Sequence, residues 1–275
     1  MAETTAEPTD ARDAEYFEIV ARHLRVCADY KPKFGTNSKA GLTRDQFERR
    51  YGEDPLYRWV GINSPPMYAA HKAAGGITSI YRQLGKGGER LFQKVLQDEL
   101  ELSVEQSFWT YETPGPDGKA RTLELDGRID LSHVSDRRKR KRIERWLDEV
   151  AAKLKLDADY REAVKGVVFE VRQGYKSADS KRQNADVANA ASAYAHHYIP
   201  SLALLSTQIN ETVATRYELA RWLLLTGTES GSTTESTWAF LRDVVGYDLA
   251  AFFQRNTDGF RELIDAVAES LLEPA

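Results

Sequence analysis

The sequence predicts an α/β fold: a mixed β-sheet of four or five strands flanked by helices, with helical N- and C-terminal regions. Three observations lead there. Residues 108–111, 122–132 and 167–172 read as strands, the last two with the two-residue period of half-buried ones. Residues 201–206, Ser-Leu-Ala-Leu-Leu-Ser entered through Pro200, read as a buried strand. Helical spacing fills the intervals and both ends, and the order strand, strand, helix, strand is that of helices packed on a sheet.

The whole chain sets limits on function. Its 275 residues, 41% hydrophobic and 29% charged, supply apolar side chains for a sizeable core, and no repeat or linker marks a boundary. The sequence therefore predicts one domain over 14–275, with a core at about 85–206 and a helical C-terminal part at about 213–272. Residues 1–13, rich in Ala, Glu, Thr and Asp, predict a disordered leader. Cys27 is the only cysteine, which excludes a disulfide framework or a cysteine-built zinc site and fits a reducing cytoplasm. No signal pattern and no apolar run of bilayer length is present, so no membrane segment is expected. With a net charge of −4, any surface for nucleic acid must be local.

In chain order, Phe17, Val20, Leu24 and Cys27 predict a helix over 14–29. A basic, turn-rich loop follows at 31–42, and Thr43 caps a short helix to Tyr51. Tyr51, Tyr57, Trp59 and Tyr68 lie in a proline-broken stretch. They could line a ligand or DNA groove, but a satellite core under loops is the commoner use of such residues. His71 falls on a helix expected to stop at Gly75-Gly76. Gly85-Lys86-Gly87-Gly88 lacks the spacing and the hydroxyl of a phosphate loop. It predicts instead a break before a helix from Glu89 to about Leu102, whose N-terminal dipole would favour the Glu89 carboxylate.

The strand at 108–111 is followed by the turn Pro114-Gly115-Pro116-Asp117-Gly118. On the returning strand, Leu123, Leu125, Ile129 and Leu131 share one face, and Glu124, Asp126, Arg128, Asp130 and Ser132 the other. A charged helix over 136–155 opens with Arg137-Arg138-Lys139-Arg140-Lys141-Arg142, a run that suits a solvated face or a DNA backbone. On the next strand Val167, Phe169 and Val171 alternate with Val168, Glu170 and Arg172. Burying either charge alone is costly, so a metal, a phosphate or each other is the expected partner. Gly174 ends that strand, and Asp179 or Ser180 can cap a helix from Lys181. Its first turn, Lys181, Arg182, Gln183 and Asn184, suits phosphates and base edges. His196-His197, with no acid or cysteine at ligand spacing, read as helix-terminal polar groups. Four helices are expected after Val213, at 217–225, 236–245, 248–255 and 260–272.

Asp130, near the end of one strand, and Glu170, on the next, could share a hard divalent cation such as Mg2+. Asp126 is an alternative acid on the same face; Asp130 is preferred as nearer the strand end. Arg172 can neutralise a phosphate but is a poor proton shuttle, and Lys176 could do either. The competing reading is a plain Glu170–Arg172 pair across a sheet face.

This constellation resembles the active site of the PD-(D/E)XK nuclease superfamily, and type II restriction endonucleases in particular. The residues that carry the resemblance are Asp130 in Leu125-Asp126-Gly127-Arg128-Ile129-Asp130-Leu131, Glu170 in Val168-Phe169-Glu170-Val171-Arg172, and an upstream helical glutamate, Glu89 in Gly88-Glu89-Arg90-Leu91-Phe92. It covers about 85–206. The resemblance implies a restriction-endonuclease-like core and a Mg2+-dependent enzyme that cleaves double-stranded DNA, usually as a homodimer. By the same resemblance Asp130 and Glu170 would ligate the metal and Glu89 would lend a further carboxylate. Arg172 or Lys176 would face the scissile phosphate. Lys176, Ser180, Lys181, Arg182, Gln183 and Asn184 would contact DNA. The sequence departs from the pattern at Arg172, where the family usually has lysine, and in the long interval between Asp130 and Glu170.

Overall fold

The computed structural model describes residues 8–37, 40–114, 120–175 and 180–273. It opens with helices α1 (Pro8–Arg25), α2 (Arg44–Glu53), α3 (Pro55–Val60) and α4 (Pro65–Leu100). The short α5 (Val104–Ser107) leads to strands β1 (Trp109–Pro114), β2 (Ala120–Leu125) and β3 (Gly127–Asp130). Helices α6 (Arg137–Lys153) and α7 (Ala158–Ala163) come next. Then β4 (Gly166–Arg172), α8 (Ser180–Ala195), β5 (Tyr198–Leu204), α9 (Glu211–Leu219) and β6 (Leu223–Leu225) follow. The chain closes with α10 (Thr237–Ala239), a π-helical turn at Phe240–Val245, α11 (Leu249–Arg255) and α12 (Thr257–Leu272). The mixed α/β architecture with helical ends is as expected, and among the described residues no helix is long and apolar enough to cross a membrane.

The chain divides into two compact units. One comprises the chain up to Gly87 with the segment from Arg255 onward; the other is Gly88–Gln254. In the first, Phe17 packs on Phe260 with ring centroids 4.5 Å apart, and Arg255 pairs with Asp13 at 2.7 Å. Lys72 donates to the Ser270 carbonyl at 2.7 Å, neutralising the C-terminal end of α12. Thr43 and Gln46 form the reciprocal cap of α2. The aromatic stretch is mainly a satellite core: Phe34, Phe47, Tyr51, Tyr57 and Tyr68 stack on one another, although Trp59 remains 76% exposed.

Three expectations are corrected in these helices and the edge strand. Residues 8–13 belong to α1 rather than to a disordered leader; residues 1–7 lie outside the described residues. The breaks expected at Gly75-Gly76 and at 85–88 do not occur, because α4 runs through both. Its glycines are contact points. A Cβ at Gly75 would lie 2.1 Å from the Tyr30 hydroxyl, and one at Gly88 2.4 Å from Leu205. Close packing outweighs their low helix propensity. Finally, Leu223–Leu225 is strand, not helix: Arg221 takes φ 57°, Trp222 N–H closes back on the Tyr217 carbonyl at 2.9 Å, and the chain then joins the sheet.

In the second unit β1 and β2 form an antiparallel hairpin, while the main sheet has the order β3-β4-β5-β6. β3 is antiparallel to β4; β5 and β6 are parallel to it and to each other. On one face Phe169 packs edge-on against Phe92 of α4 at 5.2 Å and against Phe240 at 5.3 Å. On the other, Val168 joins Trp109, Tyr111, Ala190, Ala193, Leu202, Val213 and Tyr217 in a buried cluster. β5 is buried along its whole length, as its continuous apolar run requires.

Candidate active site

The returning strand predicted as 122–132 is broken in two at Asp126, where the chain bends from β2 into β3. The bend turns the Asp126 side chain toward β4, and its Oδ2 accepts the Val171 N–H at 2.8 Å. Gly127 pairs with Phe169, so Asp126 lies one step beyond, beside Glu170. Burial pushes the Asp126 carboxyl up to about 8, with Glu170 and Glu89 adding to the rise. Three acids from three elements thus meet electrostatically at the bend: Glu89 from α4, Asp126 from β2–β3 and Glu170 from β4.

Glu89 reaches this place from within α4, 24 residues from its start and 11 from its end. The helix dipole, felt only within the terminal turns, does not account for a carboxylate there. Arg90 pairs with it at 3.6 Å. One helical turn further on, buried Gln93 donates from Nε2 to the Asp126 carbonyl at 2.6 Å, and its Oε1 accepts from Arg90 at 2.8 Å. Nothing in the sequence reading singled out Gln93. Its only signal is the four-residue spacing from Glu89, which puts both on one helix face.

Asp130 is not brought to Glu170. It pairs with Gly166, four residues back along β4, or roughly 13 Å away at strand rise. Its Oδ1 accepts from Ser132 N–H at 2.9 Å and Ser132 Oγ at 2.6 Å, capping the 3-10 turn Leu131–His133, and its Oδ2 accepts from Tyr198 at 2.6 Å. Burial alone would raise this carboxyl; the Ser132 and Tyr198 hydrogen bonds more than offset it and hold it below the usual aspartate value. Of the two acids weighed on this strand, cross-strand register sets Asp126 beside Glu170 and the preferred Asp130 away from it.

Arg172 shares its face of β4 with Glu170, as expected, and pairs with it at 2.7 Å. The same Nη2 also reaches Asp186 of α8 at 3.0 Å, and the guanidinium stacks over the Tyr175 ring at 4.8 Å. Asp186 in turn accepts the Tyr217 hydroxyl. Burial would lower the guanidinium's pKa, but Glu170 and Asp186 together raise it. The cation is thus fixed between two carboxylates, one on the strand and one on the following helix. Lys176 lies outside the described residues, and so do the side chains of Ser180, Lys181, Arg182, Gln183 and Asn184, although their backbone forms the first turns of α8.

The basic run at 137–142 has a role that neither expected reading contained. Lys139 donates to the Glu99 carbonyl, Arg140 to Val134 at 3.0 Å, and Arg142 to Val244 and Val245 at 2.7 and 2.8 Å. These three cations cap carbonyl-rich chain ends inside the unit. Arg137, Arg138 and Lys141 are exposed.

The donor set suits a hard cation. A carboxyl raised by burial and by neighbouring acids, as Asp126 is, is relieved by a positive ion, and magnesium needs only one or two protein carboxylates because it keeps several waters. Among the described residues, no group of three or more His, Cys, Asp or Glu side chains stands at full metal-ligating geometry. Asp126 and Glu170 are the residues that would hold the ion, with Glu89 behind them. No family model, no curated protein and no solved structure matches this chain.

Proposed function

We propose that this chain is a magnesium-dependent endonuclease that hydrolyses phosphodiester bonds in double-stranded DNA, of the PD-(D/E)XK type and with the specificity of a type II restriction enzyme. The observation that carries the reading is the meeting of Asp126, Glu170 and Glu89 at the β2–β3 bend, two residues from Arg172 on β4. The element order supports it. A helix bearing an acid, a hairpin, a strand bearing Glu-x-Arg, a polar-headed helix and a buried parallel strand together resemble the core of that superfamily. Asp126 and Glu170 would ligate magnesium. When bound, that ion would neutralise phosphate charge and lower the pKa of the attacking water. Arg172, permanently protonated, would stabilise charge on the scissile phosphate, with Lys176 as the alternative cation. Lys176, Ser180, Lys181, Arg182, Gln183 and Asn184 would face DNA at the start of α8, and a palindromic site would call for two copies related by a two-fold axis.

A second reading rests on a specific contact. Arg172 is already paired through Nη2 with Glu170 and Asp186, and a cation so engaged has less to offer a phosphate. That favours a protein of the same fold that binds DNA without cutting it. Incubation of unmethylated phage DNA with magnesium separates the two. Discrete fragments, lost in Asp126→Asn and Glu170→Gln, establish the restriction enzyme. A smear lost in the same variants leaves a non-specific nuclease. Retained DNA binding with no cleavage in any divalent metal selects the binding protein.

A further inference from the structure

We propose that Gln93 is a positioning residue of the acidic site. Its side-chain amide, braced by Arg90, clamps the main chain at Asp126 and so holds that carboxylate on the Val171 N–H beside Glu170. The inference rests on the reading of Asp126 as a site residue, and it names the device that makes the bend possible.

The bend at Asp126 needs a reason. Leaving the strand there costs the Asp126 carbonyl its place in a ladder, and a buried carbonyl without a donor is expensive. Gln93 Nε2 supplies the donor at 2.6 Å from a buried position on α4. A free glutamine would swing among rotamers, but Arg90 Nη1 holds its Oε1 at 2.8 Å, so the amide is fixed at both ends. On the other side of the same residue, the carboxylate closes on Val171 N–H at 2.8 Å. Asp126 is therefore gripped by its carbonyl from the helix and by its side chain from β4. Glu89 sits one turn earlier on the same helix face, so a single rigid element delivers the third acid and the clamp in fixed register. The geometry gives Gln93 no contact with substrate; it acts through Asp126.

Gln97 provides the control. It is one turn further along α4 and donates to Ser107 Oγ at 2.8 Å, a comparable structural bond that does not touch Asp126. The experiment compares wild type, Gln93→Met and Gln97→Met as full-length protein. Amide hydrogen exchange at Val171 is measured without metal, and magnesium affinity is measured by calorimetry. The expected result is roughly tenfold faster exchange at Val171 in Gln93→Met alone. Its magnesium dissociation constant should also rise by about 10–100-fold, the usual effect of removing a group that orients a ligand. Should Gln93→Met fail to fold, Gln93→Asn, a methylene shorter, carries the same test. Unchanged Val171 exchange in the Gln93 variant overturns the proposal, as does an equal effect in Gln97→Met. A wild-type protein with no magnesium affinity sinks the metal reading instead, and the metal-free exchange at Val171 still decides whether the clamp exists.

Discussion

Asp126 and Asp130 stand four residues apart on the chain returning from the hairpin, one at the bend and one at the end of β3, and the fold treats them in opposite ways. Asp130 is surrounded by neutral donors, Ser132 and Tyr198, which stabilise its charge and spend both oxygens on the local chain. Asp126 is surrounded by acids and burial, which destabilise its charge and leave it in want of a proton or a cation. One carboxylate holds structure together; the other is held in place by structure. The difference teaches that an acid whose hydrogen bonds are all met by neighbouring chain is a poor candidate for chemistry, and one kept at a cost is a good candidate.

The sharpest way to break this comparison is by substitution at the two acids. Asp126→Asn and Glu170→Gln should each lower DNA cleavage by on the order of 10³-fold or more, read from initial rates on plasmid substrate. Asp130→Ala should leave the cleavage rate per folded molecule close to wild type. It should cost about 1–3 kcal/mol of stability, measured as a lower urea midpoint, because Ser132 and Tyr198 lose their acceptor. If Asp130→Ala abolished cleavage in a protein of normal stability, the assignments of the two acids would have to be exchanged.

Titration gives a second contrast, with opposite signs at the two acids. Asp126 binds its proton more tightly folded than unfolded, so its contribution to stability is complete below the ordinary value of 3.8 and is lost as pH rises through about 8. Asp130 is shifted downward, so its contribution is present above 3.8 and is lost as pH falls through its lower folded value. Thermal scans of wild type and Asp126→Asn should therefore lie closer together at pH 5 than at pH 9, where the wild type has lost the neutral form that the amide mimics. Magnesium competes with that proton, so it should raise the melting temperature of the wild type more at pH 8.5 than at pH 5.5. Its removal by chelation should reverse the shift, and Asp126→Asn should lose most of it. The smallest expected effect is that of Ser132→Ala. It removes one hydroxyl bond to Asp130 and should cost about 0.5–1.5 kcal/mol in denaturant unfolding, without altering cleavage.

The lesson of the two acids extends to the rest of the chain. The alternation of Val167, Phe169 and Val171 with Val168, Glu170 and Arg172 is a property of any strand, so the shared face of Glu170 and Arg172 could be read directly. The Thr43 cap of α2 and the buried strand β5 were equally legible, because each depends on residues adjacent in sequence. Which acid meets Glu170 is a matter of cross-strand register and of one bend, fixed by a glutamine 33 residues away. The glycines of α4 read locally as breaks, yet Tyr30 and Leu205 require them as close contacts. Asp186, the second partner of Arg172, comes from a helix 14 residues downstream. The sequence alone determined which residues share a face within an element, since that depends on periods of two and 3.6 along the chain. Only the tertiary structure decided which carboxylate is buried among other acids and which among neutral donors, because that depends on which groups meet across space.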